Sequence, residues 1–118
     1  FSAVSRAHAQ VLYVIDDALF FTHRTSLIKL VLKARLPAIN APREFADEGG
    51  LMSYGTNVGE LWHRSAAYVD KILKGARPGD IPIEQPTKFE FVVNLKTARA
   101  IGITIPKSVL ARADELIQ

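Results

Sequence analysis

Val11-Leu12-Tyr13-Val14-Ile15 is an unbroken run of strand-forming apolar residues that ends abruptly at Asp16-Asp17. A strand with no polar alternation is expected to be buried on both faces, as in a parallel sheet covered by helices on either side. That requirement limits the chain to α/β architectures and makes the end of the run a place to look for function. In open α/β sheets, ligands bind beyond the carboxyl ends of the strands.

The following segments repeat the theme. Leu27, Ile28, Val31 and Ala34 recur at helical spacing within Thr25 to Arg35, an amphipathic helix. Leu36 to Asn40 reads as a second strand, with Pro37 at its entry, where a missing N–H is tolerated. Arg43 to Glu48 is a short acidic helix stopped by Gly49-Gly50, and Leu51 to Tyr54 is a third strand. Asn57 caps a longer helix ending at Lys74 and Gly75, with Val58, Leu61, Trp62, Ser65, Ala66, Val69, Ile72 and Leu73 on one stripe. Arg77 to Asp80 is a turn, and Ile81 to Thr87, broken by Pro82 and Pro86, is an extended connection. Phe89 to Asn94 alternates as a fourth strand with one fully buried face, and Asn94 caps Leu95 to Ile101. Pro106 opens a last helix carrying Val109, Leu110, Ala113, Leu116 and Ile117. The order β-α-β-α-β-α-β-α-α predicts one α/β domain over residues 1–118, a parallel sheet flanked by helices with right-handed crossovers.

Composition removes several function classes. The chain has 118 residues, 48% hydrophobic and 23% charged, so it holds one globular domain with a modest core. The net charge of +3 comes from fifteen basic residues interleaved with twelve acidic ones. Clustering rather than net charge makes a nucleic-acid footprint, so no nucleic-acid partner is expected. The absence of cysteine excludes disulfides and thiol chemistry. No stretch approaches the ~20 apolar residues of a membrane helix. Phe1 to Gln10 lacks the basic-then-apolar order of a signal peptide, and its opening residues read as the tail of a helix, as in a fragment.

Asp16-Asp17, at a strand end, suits a magnesium ion or a ligand amine or hydroxyl; the plain alternative is that one caps the next helix. An acidic pair here is also found in phosphoaccepting receiver domains. Those need a third carboxylate after another strand, whereas the next two strands lead into Asn40-Ala41-Pro42 and Gly55-Thr56-Asn57. Arg43 and Glu44 follow the second strand, where Arg43 can fork onto a carboxylate and Glu44 onto an ammonium, or both can form surface ion pairs. His8, His23 and His63 are scattered and predict no metal site; Ser53 lacks a nucleophile elbow, and Gly49-Gly50 lacks the pattern of a phosphate loop. No nucleophile, base and oxyanion donor assemble, so neither an enzyme nor a cofactor is expected.

Val14-Ile15-Asp16-Asp17-Ala18-Leu19-Phe20-Phe21, Leu36-Pro37-Ala38-Ile39, Arg43-Glu44-Phe45, Gly49 to Gly55 and Tyr68 to Gly75 stand in the order of one known family. Pro86 to Glu90, Asn94 to Ala98 and Gly102 to Pro106 continue it. Over essentially its whole length, the chain resembles the C-terminal part of ABC-transporter substrate-binding proteins of the tryptophan/tyrosine-binding-like kind, with the type I periplasmic-binding-protein fold. The resemblance implies a solute-binding lobe, closing with a second lobe on a small organic solute such as an amino acid or aromatic acid. It also implies an ABC permease partner and a periplasmic or lipid-anchored location for the full-length parent. Asp17, Leu19 and Phe20 would face the cleft after the first strand, and Arg43 and Glu44 after the second. Family members often carry proline on either side of the aspartate matching Asp17, where this chain has Asp16 and Ala18.

An amino-terminal lobe is missing from this reading. The helix from Asn57 to Lys74 should pack on that lobe, leaving Val58, Leu61, Trp62, Ala66, Val69, Ile72 and Leu73 as an interface. An uncovered stripe of this kind predicts a homodimer or a domain-swapped oligomer. Two other readings are a stand-alone interaction or regulatory domain that docks through the Trp62 face, and a small flavodoxin-like enzyme.

Overall fold

In the computed structural model, residues 1–4 and 6–118 are described in full. Helix α1 (Ser2–Arg6) precedes strand β1 (Leu12–Tyr13), helices α2 (Ala18–Thr22) and α3 (Arg24–Lys33), and strand β2 (Ala38–Asn40). Helix α4 (Arg43–Asp47), strand β3 (Met52–Thr56) and the long helix α5 (Val58–Leu73) follow. After a 3₁₀ turn (Pro78–Asp80) come β4 (Phe89–Asn94), α6 (Leu95–Ile101), α7 (Lys107–Leu110) and β5 (Glu115–Ile117).

The five strands lie in chain order, β1-β2-β3-β4-β5. The pairings β1–β2, β2–β3 and β4–β5 are parallel, while β3–β4 is antiparallel, with Tyr54 opposite Phe91 and Gly55 opposite Glu90. The sheet is thus α/β and mostly parallel, as expected. It reverses once because the chain leaves β3 into α5 and returns along the same rim. Phe45 of α4 and Ile28 and Val31 of α3 are buried together with Ala38 of β2, and Ala46 of α4 is fully buried. A second cluster joins Leu51 and Val93 to Ala98, Ile101 and Ile105. Asn94 binds the two clusters: its side chain accepts from Thr97 N at 3.0 Å, capping α6, and donates to Ala46 O at 2.9 Å.

Several expectations are corrected. The Val11–Ile15 run is not buried on both faces: β1 is an edge strand, and Val11, Tyr13 and Ile15 are exposed while Val14 is covered. In β4, Val92 and Val93 are both buried, so burial there is two-sided at its end rather than alternating. The predicted last helix stops at Leu110, and Glu115–Ile117 form a strand instead, because Val92 to Asn94 offer an open ladder that a further helical turn could not use. The helix α2 was not foreseen.

Helix α5 stands apart. Asn57 caps it through Glu60 N at 3.0 Å, yet it has no buried residue: Trp62 is 73% and Leu73 82% exposed. The return segment lies along it, through ion pairs Arg64–Glu84 and Lys88–Glu60. Desolvation pushes the Tyr68 phenol up, and neighbouring Glu84 adds to the effect. The radius of gyration, 17.8 Å, exceeds the about 13–14 Å of a compact chain this long, because α5 projects from the sheet.

The chain leaving β2 crosses so close to β3 that a Cβ on Gly55 would collide with the Ala41 carbonyl. Gly55→Ala is therefore expected to cost about 1–3 kcal/mol of stability. Urea unfolding checks this, and an unchanged midpoint would contradict it.

Candidate functional site

Because β1, β2 and β3 are parallel, their carboxyl ends share one rim of the sheet. Three successive segments emerge there: Asp16 to Phe20 after β1, Ala41 to Glu44 after β2, and Asn57 to Gly59 after β3. The start of antiparallel β4, Phe89-Glu90, returns to the same rim. Asp17, Leu19, Phe20, Arg43 and Glu44, each singled out from sequence, thus lie along one edge.

Asp17 has extended backbone, φ −151° and ψ 144°, and its Oδ1 accepts from Leu19 N at 2.8 Å. This is an N-cap of α2, the plain alternative raised for the acidic pair. It leads into Leu19 and Phe20, which are 61% and 42% exposed. The next ring, Phe21, is 40% exposed and carries the Arg24 guanidinium 4.4 Å from its centroid. Arg24 is fixed in turn by Phe21 O at 2.9 Å and Glu48 Oε1 at 2.7 Å.

Arg43 occupies the first turn of α4 with all three guanidinium nitrogens engaged. Nε donates to Asp47 at 3.2 Å, Nη1 to Glu90 at 2.6 Å, and Nη2 meets Glu115 at 2.7 Å. These contacts hold its pKa above the ordinary arginine value, with the hydrogen bond to Glu115 the largest cause. Glu44 beside it is exposed. Among the described residues, its carboxylate has no hydrogen bond or ion pair. Arg43, Glu44, Glu90 and the Thr56 to Gly59 crossover line a recess of about 70 Å³. The roles of Asp47, Glu90, Glu115 and the crossover were missed. Asp47 stands four residues on in the same helix, a spacing visible in the sequence. Glu90, Glu115 and the crossover reach Arg43 through strand order, for which the local sequence holds no signal.

Among the described residues, no group of three or more His, Asp or Glu is placed to hold a metal ion. His8, His23 and His63 lie on α1's trailing turn, between α2 and α3, and on α5, respectively. Ser53 is buried in β3, opposite Asn40 of β2, and among the described residues its hydroxyl has no hydrogen-bond partner. Among the described residues, no helix is long and apolar enough to cross a membrane.

An open, mostly parallel sheet with polar and aromatic residues on one rim is the architecture in which α/β lobes hold small ligands. The chain belongs to the ABC transporter substrate binding protein family, whose profile matches residues 2–117. It is 25% identical over 93 residues to the tyrosine-binding protein of Clostridioides difficile, covering 79% of this chain and 27% of that one. A conserved domain protein from Vibrio cholerae superposes with a TM-score of 0.90 at 28% identity, over 97% of this chain and 38% of its own. A Streptococcus pneumoniae ABC domain in complex with L-Trp gives 0.87 at 26% identity, over 97% of this chain and 39% of its own. The chain thus spans between about a quarter and two-fifths of these relatives.

Glu48 tests the rim's support. Thr25 and Arg24 hold its carboxylate below the ordinary value, with the Thr25 hydrogen bond the larger cause. A depressed folded pKa contributes stability above the unfolded value of about 4.3, and that contribution is lost as pH falls through the folded one. Glu48→Gln should lower the melting temperature by about 2–5 °C at neutral pH. The difference should close below about pH 4. A difference independent of pH in thermal scans would refute the linkage.

Proposed function

We propose that this chain is the C-terminal solute-binding lobe of an ABC-type uptake system and supplies one wall of a two-lobed cleft. The solute is a small organic acid of the amino-acid or aromatic-acid class, and the lobe carries no catalytic step. The observation that supports this reading best is the family match across residues 2–117. The similarity to a domain crystallised with L-Trp and to a tyrosine-binding protein supports the aromatic class. Asp17, Leu19, Phe20, Arg43 and Glu44 form this lobe's share of the cleft. The full-length protein faces the periplasm, free or lipid-anchored, and delivers its solute to an ABC permease.

Residues 1–118 act in this reading as a single α/β domain, with α5 and its return segment reaching across to the other lobe. The stripe Val58, Leu61, Trp62, Ala66, Val69, Ile72 and Leu73 is the docking face for that lobe. Without it, two copies of this chain cover the face by pairing or exchanging α5, since an apolar helix face of this size is unfavourable in water.

Two measurements follow. A thermal-shift screen of amino acids and aromatic acids should give a hit on the two-lobed protein and a flat response on residues 1–118, because one wall does not enclose a solute. A two-lobed protein that responds to none of them would overturn the function. Light scattering should find residues 1–118 dimeric or larger at micromolar concentration, and Trp62→Glu should shift them toward monomer. A wild-type monomer would refute the pairing.

A further inference from the structure

The two charged residues that look most like solute ligands are already engaged. Asp17 Oδ1 accepts the Leu19 N–H at 2.8 Å and so sets the first turn of α2. A five-residue helix has little stability of its own, so its orientation depends on that cap. Every guanidinium nitrogen of Arg43 meets a carboxylate of Asp47, Glu90 or Glu115. A solute carboxylate reaching the remaining Nη hydrogens would sit beside these three carboxylates, with Glu44 lining the same recess. Like charges at such range are strongly disfavoured. The groups that remain are of another kind. Leu19 and Phe20 are exposed on α2. Among the described residues, Phe20 has no aromatic or cationic partner, whereas Phe21, 40% exposed, carries the Arg24 guanidinium against its ring. Glu44 is exposed, and its carboxylate is free among the described residues.

Building on the solute-binding reading above, we propose that Asp17 and Arg43 are positioning residues that do not touch the solute. Leu19 and Phe20 take its apolar or aromatic side chain, and Glu44 takes its ammonium. Asp17 holds α2 so that Leu19 and Phe20 stand on the rim. Arg43 ties α4 to β4 and β5, which fixes Glu44 at the mouth of the crossover. The lobe then selects solutes by an apolar surface and a negative charge, and the solute carboxylate is left to groups outside these five residues.

The test is calorimetric titration of the two-lobed protein with L-tryptophan, L-leucine and 3-indolepropionate, the last lacking the amino group. Asn and Ser both accept the Leu19 N–H but carry no charge. Asp17→Asn and Asp17→Ser should therefore bind L-tryptophan within about threefold of wild type, while Asp17→Ala weakens it about fivefold to tenfold. Glu44→Gln should weaken L-tryptophan about tenfold and leave 3-indolepropionate unchanged. Phe20→Ala should narrow the preference for L-tryptophan over L-leucine. Asp17→Asn and Asp17→Ser losing as much as Asp17→Ala, or more, would show that the Asp17 charge meets the solute and would overturn the assignment. That comparison decides even if Asp17→Ala does not fold. Equal losses for both indole ligands in Glu44→Gln would overturn the ammonium contact. A wild-type protein that binds none of the three, nor any other amino acid or aromatic acid, would remove the solute-binding reading itself, an outcome distinct from any pattern among the variants.

Discussion

The antiparallel pairing of β3 with β4 is the constraint on which the rest of the structure depends. Five register pairs, from Met52–Val93 to Thr56–Phe89, hold the outgoing and returning strands side by side in the middle of the sheet. Tyr54 reinforces them, stacking on Phe89 at 5.7 Å and meeting Phe91 edge-on at 6.2 Å. Without this pairing, β4 and β5 would have no place beside β1 to β3, and α5 would have no fixed root. The close passage of Ala41 over Gly55 locks the loop after β2 to the same strand. The rim inherits its geometry from that ladder.

Arg43 extends this logic to electrostatics. Its three carboxylate partners come from α4, β4 and β5, so a single side chain joins the helix after β2 to the two strands beyond the reversal. Each pair is partly exposed and worth little alone. Their joint effect is geometric, since the fork can satisfy three acceptors only when those elements are correctly placed. The same arrangement disfavours a further anion beside Arg43, because three carboxylates already surround its guanidinium.

Much of the fold was legible in the residues. Asn57 and Asn94 act as the predicted caps, and Gly102 ends α6 in the left-handed conformation, φ 78°. Such signals are local: a cap or a helix stop needs only a few neighbouring residues. The five rim residues were also legible, because strand ends can be found from strand patterns. Their partners were not. Glu90 and Glu115 look like ordinary surface acids until strand order brings them to Arg43. The Leu116-Ile117 pair fits a helical stripe as well as a strand. Only the open ladder of β4 decides between them.

By itself, the sequence determined the α/β class, the sites of helix capping, the rim positions and the family resemblance, all carried by local pattern or residue order. The tertiary structure alone decided that the sheet reverses at β4 and that β1 lies at an edge with Val11, Tyr13 and Ile15 bare. It also decided that Arg43 is bound by carboxylates instead of standing free. The physical reason is the same in each case. Pairing and burial depend on contacts between residues distant in the chain, and an apolar run or a charged residue looks alike in sequence whether or not such a partner exists.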